Sequence, residues 1–149
     1  MNHNGMVLVA SVSIIRDNMV LMIKENKPSA LNKWNFSSGR IEQGEDIIGA
    51  ACREVKEETG YDVRLINSTG VYNFTSSTGH QIILFHFIGE IIGGKLCLAE
   101  EEIIDSRWIR LSETLHVNEG ELRDPVVLQK IIDSIVNQQF YPIDLFKNS

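Results

Sequence analysis

Cysteine is nearly absent: Cys52 and Cys97 are the only two in 149 residues, too few for a disulfide framework. Cys52 reads as a small buried hydrophobe rather than a reactive thiol. Positive charge is in deficit. Fourteen Lys and Arg face 20 Asp and Glu, for a net charge of −6, which excludes a general basic surface for nucleic acid. Long apolar runs are missing, so no stretch is expected to span a bilayer. The opening Met-Asn-His-Asn-Gly lacks the basic start of a secretion signal. No membrane partner and, by default, a cytoplasmic location are expected. There is no P-loop, no Cys/His zinc spacing and no serine nucleophile elbow, and no internal repeat, linker or low-complexity segment. Apolar residues make up 43% and charged residues 23%, ordinary for a globular chain, and residues 1–149 are expected to form a single domain with a proper core.

What the chain does have is a concentrated run of acid at helical spacing. From about Asp46 to Thr59 the pattern reads as one amphipathic helix. At about 100° per residue, Glu54, Glu57 and Glu58 fall within an arc of roughly 100°. Ile48, Ala51 and Val55 form an apolar stripe beside it, with Cys52 at its edge. Asp46, with Glu45 before it, suits the positive end of the helix dipole, and Gly60 suits a left-handed stop. Three carboxylates on one face repel one another. Either the face is simply solvated, or the carboxylates converge on a hard divalent cation such as magnesium or manganese. Arg53 can orient one of them but cannot neutralise three.

The loop before this helix bears on that choice. Gly39, Glu45, Arg53, Glu54, Glu57, Glu58 and Gly60 occupy the fixed positions of the pattern G-x5-E-x7-R-E-U-x-E-E-x-G-U, where U is a bulky apolar residue. Val55 takes the first U, and Tyr61 takes the last, where an aliphatic residue is more usual. The stretch resembles the Nudix box, and the chain is similar to a Nudix hydrolase over nearly its whole length. In that family Pro and Gly commonly precede the box glycine; here Ser37 and Ser38 stand there. The resemblance implies that Glu54, Glu57 and Glu58 are metal ligands, and members of the family differ in which residue also serves as base. It also implies a shared backbone carbonyl near Gly39, an orienting role for Arg53, and a structural or outer-metal role for Glu45. Glu102, about six residues before Trp108, is a further implied ligand. The implied cofactor is Mg2+ or Mn2+.

Along the chain, Met6 to Ile15 and Met19 to Lys24 read as a hairpin turning at Arg16-Asp17-Asn18. A polar loop from Glu25 to Lys33 makes the neighbourhood of Lys24, Lys27 and Lys33 locally basic: solvated lysines, or one that meets a phosphate. Trp34 is either a core aromatic or a wall of the substrate site. After the helix, Asp62 to Tyr72 reads as a strand interrupted at Asn67-Ser68-Thr69-Gly70, and Asn73 to Gly79 as a loop. His80 to Glu90 reads as a strongly apolar strand containing His86, expected to be structural or a pocket wall. Gly93-Gly94 reads as a hairpin turn. The Glu100-Glu101-Glu102 run is either a solvated loop or part of the site, leading into a strand with Trp108. A last helix is expected from Pro125 to about Gln138, with Asp124 as N-cap, Pro125 at N1 and Val126, Leu128, Ile131, Ile132 and Ile135 on its apolar face. The tail from Tyr141 to Phe146 is expected to pack back.

Strands, a helix, more strands and a last helix give an α+β class. The resemblance implies the Nudix α/β/α sandwich with a mixed sheet. It implies metal-dependent hydrolysis of a phosphoanhydride in a small phosphorylated molecule. At position 76 stands Ser76, where ADP-ribose enzymes of the family carry proline and diadenosine-polyphosphate enzymes tyrosine. Trp34-Asn35, Leu122 to Pro125 and Tyr141-Pro142 are similar to stretches of the small bacterial phosphatase-type members. Those act on nucleoside tri- and diphosphates and hydroxymethylpyrimidine pyrophosphate, and release orthophosphate. The alternatives are a house-cleaning pyrophosphatase releasing pyrophosphate, and a non-catalytic ligand-sensing module. Arg123, just before the final helix, is expected to contact the substrate anion. The chain is expected to act as a monomer or homodimer.

Overall fold

The computed structural model describes residues 5–28 and 30–149. The reading of the N-terminus as lacking a signal falls on Met1 to Asn4, outside the described residues.

β1 (Val7–Arg16) and β2 (Met19–Glu25) form the expected hairpin. Its two-residue turn holds Asp17 and Asn18 at φ 54° and 61°, the left-handed pair that matches strand twist. β2 lies between β3 (Trp34–Asn35) and β7 (Ile103–Arg110), both antiparallel to it. β1 lies between β4 (Ser37–Arg40), antiparallel, and β6 (Gln81–Gly94), parallel. β5 (Tyr61–Thr75) pairs antiparallel with β6, and β8 (Tyr141–Pro142) adds to its outer edge. The result is a mixed sheet with α1 (Ile47–Thr59) on one face and α2 (Pro125–Val136) on the other.

Period-two alternation sorts the strands between the layers. Ala10, Val12 and Ile14 of β1 join Phe87 of β6 beneath Ala50, Ala51 and Val55 of α1. Leu84 and Ile88 of β6 face the other way, under Leu128, Ile131, Ile132 and Ile135 of α2. Burying each such side chain contributes about 1.5–3 kcal/mol, so the two cores fix both helices to the sheet. The tail packs back as expected, with Phe146 edge-on to Phe87 at 4.8 Å between centroids.

Several expectations are corrected. Asn67 to Gly70 does not interrupt a strand; β5 runs through it with register shifts between Leu65 and Asn67 and between Ser68 and Gly70, bulges that absorb extra residues while pairing continues. The strand also takes in Asn73 to Thr75, read as loop. Gly93-Gly94 is not a hairpin turn. β6 pairs back with β5 to its end, Gly94 opposite Tyr61, and the following segment runs past the C-terminal end of α1, where the Cys97 and Ala99 amides bond to the Thr59 and Glu58 carbonyls. On α2 the buried valine is Val127; Val126 is 69% exposed. Asp124 sits at the cap position, but in a left-handed conformation with φ 44° and no side-chain cap bond.

His86 is fully buried between two serines of β1. Its ring nitrogens lie 2.7 Å from the hydroxyls of Ser11 and Ser13. Burial pushes its pKa down to about 3 from an ordinary 6.5. The unfolded chain therefore takes a proton that the folded chain refuses. The stability contributed by neutral His86 is fully present above about pH 6.5 and is lost as pH falls toward 3. Relative to His86→Gln, the protein is expected to lose about 1 kcal/mol per pH unit through this window, measured by urea unfolding at a series of pH values. Parallel profiles for the two proteins would rule out this linkage.

Candidate functional site

The site starts from one glycine. β4 carries Ser37, Ser38 and Gly39 under α1, and a Cβ built on Gly39 would lie 2.0 Å from the Glu54 carboxyl carbon and 2.2 and 2.3 Å from its oxygens. The Glu54 carboxylate thus lies against bare backbone, where only glycine leaves room. Desolvation raises its pKa, with Arg53 pulling the other way.

Arg53 is the hub. Its Nε and one terminal nitrogen donate to the two oxygens of Glu45 at 2.6 and 2.8 Å, a bidentate pair. Its other terminal nitrogen donates to Glu54 at 2.9 Å and to Glu57 at 3.1 Å. The Arg40 carbonyl accepts a further bond at 3.1 Å. Arg53 and the Glu42 amide hold the Glu45 carboxyl down to about 2, and the carboxylates, Glu45 first, push the guanidinium pKa up. One arginine therefore meets three carboxylates, though not the three on the predicted arc, since Glu45 replaces Glu58.

Glu58 turns inward. It is 1% exposed, and its Oε1 accepts from the Ser37 hydroxyl at 2.7 Å and the Ser38 amide at 2.9 Å. On the helical wheel it lies only about 20° from Ala51, so it goes under with the apolar stripe. Burial pushes its pKa up to about 8, against the pull of the Ser37 hydrogen bond. The serines in place of the family's usual Pro and Gly thus make contact with a box glutamate.

A cavity of about 550 Å³ opens beside these groups. Gly39, Arg53, Glu54, Glu57, Glu102 and Arg123 line it, as do Asn35 and Lys27; Trp34 and Glu58 do not. Trp34 is 8% exposed and packs in the α2 core, so it is a core aromatic and not a wall of this cavity. Arg123 lines the cavity already paired, donating to Glu25 at 2.8 Å. The sequence reading missed Glu25. The signal was its position in step with Leu21 and Ile23 on β2, which places it on an inward face.

Among the described residues no three of His, Cys, Asp and Glu converge tightly enough to enclose a cation, because Arg53 holds Glu54 and Glu57 and Glu58 faces Ser37. The donors still suit a hard divalent ion in kind: carboxylates, one of them pressed into a cradle that a Cβ would fill, beside strand backbone. No helix among the described residues is long and apolar enough to cross a membrane.

The NUDIX domain matches residues 6–131. A nudix protein of Caenorhabditis elegans is 30% identical over 147 residues, covering 95% of this chain and 39% of that protein. The 8-oxo-dGDP phosphatase NUDT18 of Danio rerio is 31% identical over 111 residues, 72% of this chain and 33% of that one. The chain thus spans less than half the length of either relative. The structure of a NUDIX hydrolase from Nitrosomonas europaea superposes with a TM-score of 0.82 at 28% identity, covering 97% of this chain and 98% of that one.

Proposed function

This chain belongs to the NUDIX domain family, and from that membership we propose that it hydrolyses a phosphoanhydride bond in a nucleoside di- or triphosphate, with release of orthophosphate. The observation that carries the reading is the acidic wall of the cavity. Glu54, Glu57 and Glu102 gather on one cavity, a carboxylate set that would hold divalent cations against an anionic substrate. Mg2+ or Mn2+ held by Glu54, Glu57, Glu58 and Glu102 with the Gly39 carbonyl would supply charge neutralisation and an acidified water.

The chain's own residues do the rest. Arg53 holds Glu54 and Glu57 in defined directions through its anchor on Glu45. A glutamate of this set takes the proton as the water oxygen bonds to phosphorus. The bond from phosphorus to the bridging oxygen breaks, and the leaving phosphate departs with the electron pair. Glu54, already desolvated against Gly39, is the candidate for that proton.

The test is a panel of nucleoside di- and triphosphates with magnesium. It includes 8-oxo-dGDP, after the zebrafish relative's name, and hydroxymethylpyrimidine pyrophosphate. Orthophosphate released without added pyrophosphatase supports the phosphatase reading. Orthophosphate that needs pyrophosphatase indicates cleavage that releases pyrophosphate. No product from any substrate removes the proposal.

Glu102 and Glu100 separate a site role from a solvated acidic loop. Only Glu102 lines the cavity. Glu102→Gln is expected to lower kcat/KM about tenfold or more, of the size of one lost charge contact, with Glu100→Gln near wild type. Equal, small effects in steady-state assays would return Glu102 to the solvated loop.

A further inference from the structure

Lys24, Lys27 and Lys33 are equivalent in the sequence, and the structure separates them. Lys24 lies over the Trp34 ring, its ammonium 5.6 Å from the centroid. Lys33 donates to the Gly120 carbonyl. Of the three, only Lys27 lines the cavity.

Four Lys and Arg side chains border that cavity: Lys27, Arg40, Arg53 and Arg123. Arg53 is committed to Glu45, Glu54 and Glu57, and Arg123 donates to Glu25. Arg40 is exposed at the end of β4. Lys27 is half-buried. Its ammonium lies 3.6 Å from Glu25 Oε2, beyond hydrogen-bond reach, and that oxygen already accepts from Arg123 at 2.8 Å. Burial raises the pKa of Glu54 and of Glu58, and Lys27 is among the groups that pull both back. The ammonium therefore stands beside the carboxylates of the acidic wall with its donors uncommitted among the described residues.

The backbone under it is held on both sides. The Asn26 amide bonds to the Glu102 carbonyl at 2.8 Å, and the Ala30 amide to the Lys27 carbonyl at 2.9 Å. A fixed root, a flexible four-carbon stem and three rotatable donors suit a phosphate oxygen whose place is set by other groups. Glu54 and Glu58 belong to the set proposed to hold cations, so the anion that remains for Lys27 is the substrate. A positive charge there also offsets the charge that builds on oxygen as the bond to phosphorus breaks.

We infer that Lys27 is a catalytic residue whose ammonium donates to a non-bridging oxygen of the phosphate at the scissile bond. This rests on the proposed phosphoanhydride hydrolysis. A lysine that only balanced Glu25 within the fold would affect stability and not phosphate.

The experiment compares wild type, Lys27→Gln, Lys27→Arg and Lys33→Gln. Steady-state kinetics on guanosine diphosphate with magnesium are paired with calorimetric binding of its methylene-bridged analogue, whose carbon bridge does not hydrolyse. Lys27→Gln should lower kcat/KM about 10- to 100-fold and weaken the analogue about tenfold, as for a lost hydrogen bond to a charged group. Its melting temperature should stay within a few degrees of wild type. Lys27→Arg keeps the charge and should recover both quantities to within about fivefold of wild type. Lys33→Gln should match wild type in both. Losses below about threefold in Lys27→Gln, equal losses in Lys27→Gln and Lys33→Gln, or a lower melting temperature with unchanged kinetics would overturn the contact while leaving the hydrolase intact. A wild type that binds the analogue but hydrolyses no nucleotide would remove the reaction, and the catalytic role with it.

Discussion

Glu58→Gln is expected to lose about 10²–10⁴ in turnover, the range for removing a positioned acid–base or charged group from a reacting centre, and yet to fold more stably than wild type when divalent ions are chelated. The two effects share a cause. Glu58 is buried with a carboxyl pKa near 8 against an ordinary 4.5. The unfolded chain releases its proton near pH 4.5, while the folded chain keeps it until about pH 8. The stability of the protonated form is fully present below pH 4.5 and is lost as pH rises through 8, by an amount of the order of a few kcal/mol. Glutamine accepts the Ser37 and Ser38 bonds without that loss. The melting temperature of the variant in chelator should therefore exceed that of wild type, and the gap should widen from pH 5 to pH 8. Magnesium should raise the wild-type melting temperature at pH 8 more than that of the variant. Turnover unchanged by the substitution would remove Glu58 from the site. A gap that does not grow with pH would mean its burial is not what sets its protonation.

The sign is opposite to that of His86, whose contribution grows as pH rises from 3 to 6.5. Between about pH 4.5 and 6.5 the two oppose each other, so wild type should vary less with pH there than either single variant. Both effects trace to side chains that a sequence reading leaves ambiguous. His86 sits in an apolar strand, and its partners Ser11 and Ser13 lie 75 and 73 residues away, a pairing set by the parallel register of β1 on β6.

Local patterns were legible wherever one element decided them. The box helix, its left-handed stop at Gly60 with φ 83°, the β1–β2 turn and the returning tail all follow from spacing and turn chemistry. Val126 is outside because, at about 100° per residue, it stands opposite Ile135 on the wheel, whereas Leu128, Ile131 and Ile132 lie within about 60° of that residue. The bulges of β5 looked like a loop because Ser, Thr and Gly mark both. The inward turn of Glu58 follows from the wheel, where it stands about 20° from Ala51 at the edge of the apolar stripe, although the box pattern groups it with Glu54 and Glu57. Glu25 was hidden for a different reason. A charged residue after a lysine reads as the start of a loop, and its partners, Asn35 and Arg123, lie 10 and 98 residues away.

Gly39→Ala should separate the site from the fold more cleanly than any change to a charged residue. Gly39 pairs with Ala10 across β4 and β1, and alanine is tolerated in such a strand. The three nearest neighbours of the added methyl are the carboxylate atoms of Glu54, at 2.0 to 2.3 Å. A side-chain tip can swing aside at little expense to the core, so the melting temperature should move by only a few degrees. The carboxylate cannot swing and still hold its place beside Arg53. A displacement of about 1 Å at a reacting centre costs about a hundredfold, and kcat/KM should fall by at least that much. Glu54→Gln should fall comparably, and the double variant little further, because both changes act on one carboxylate. Activity within fivefold of wild type in Gly39→Ala would show that the close approach of Glu54 to the box glycine is packing alone. A large loss of stability would place the glycine's role in the strand.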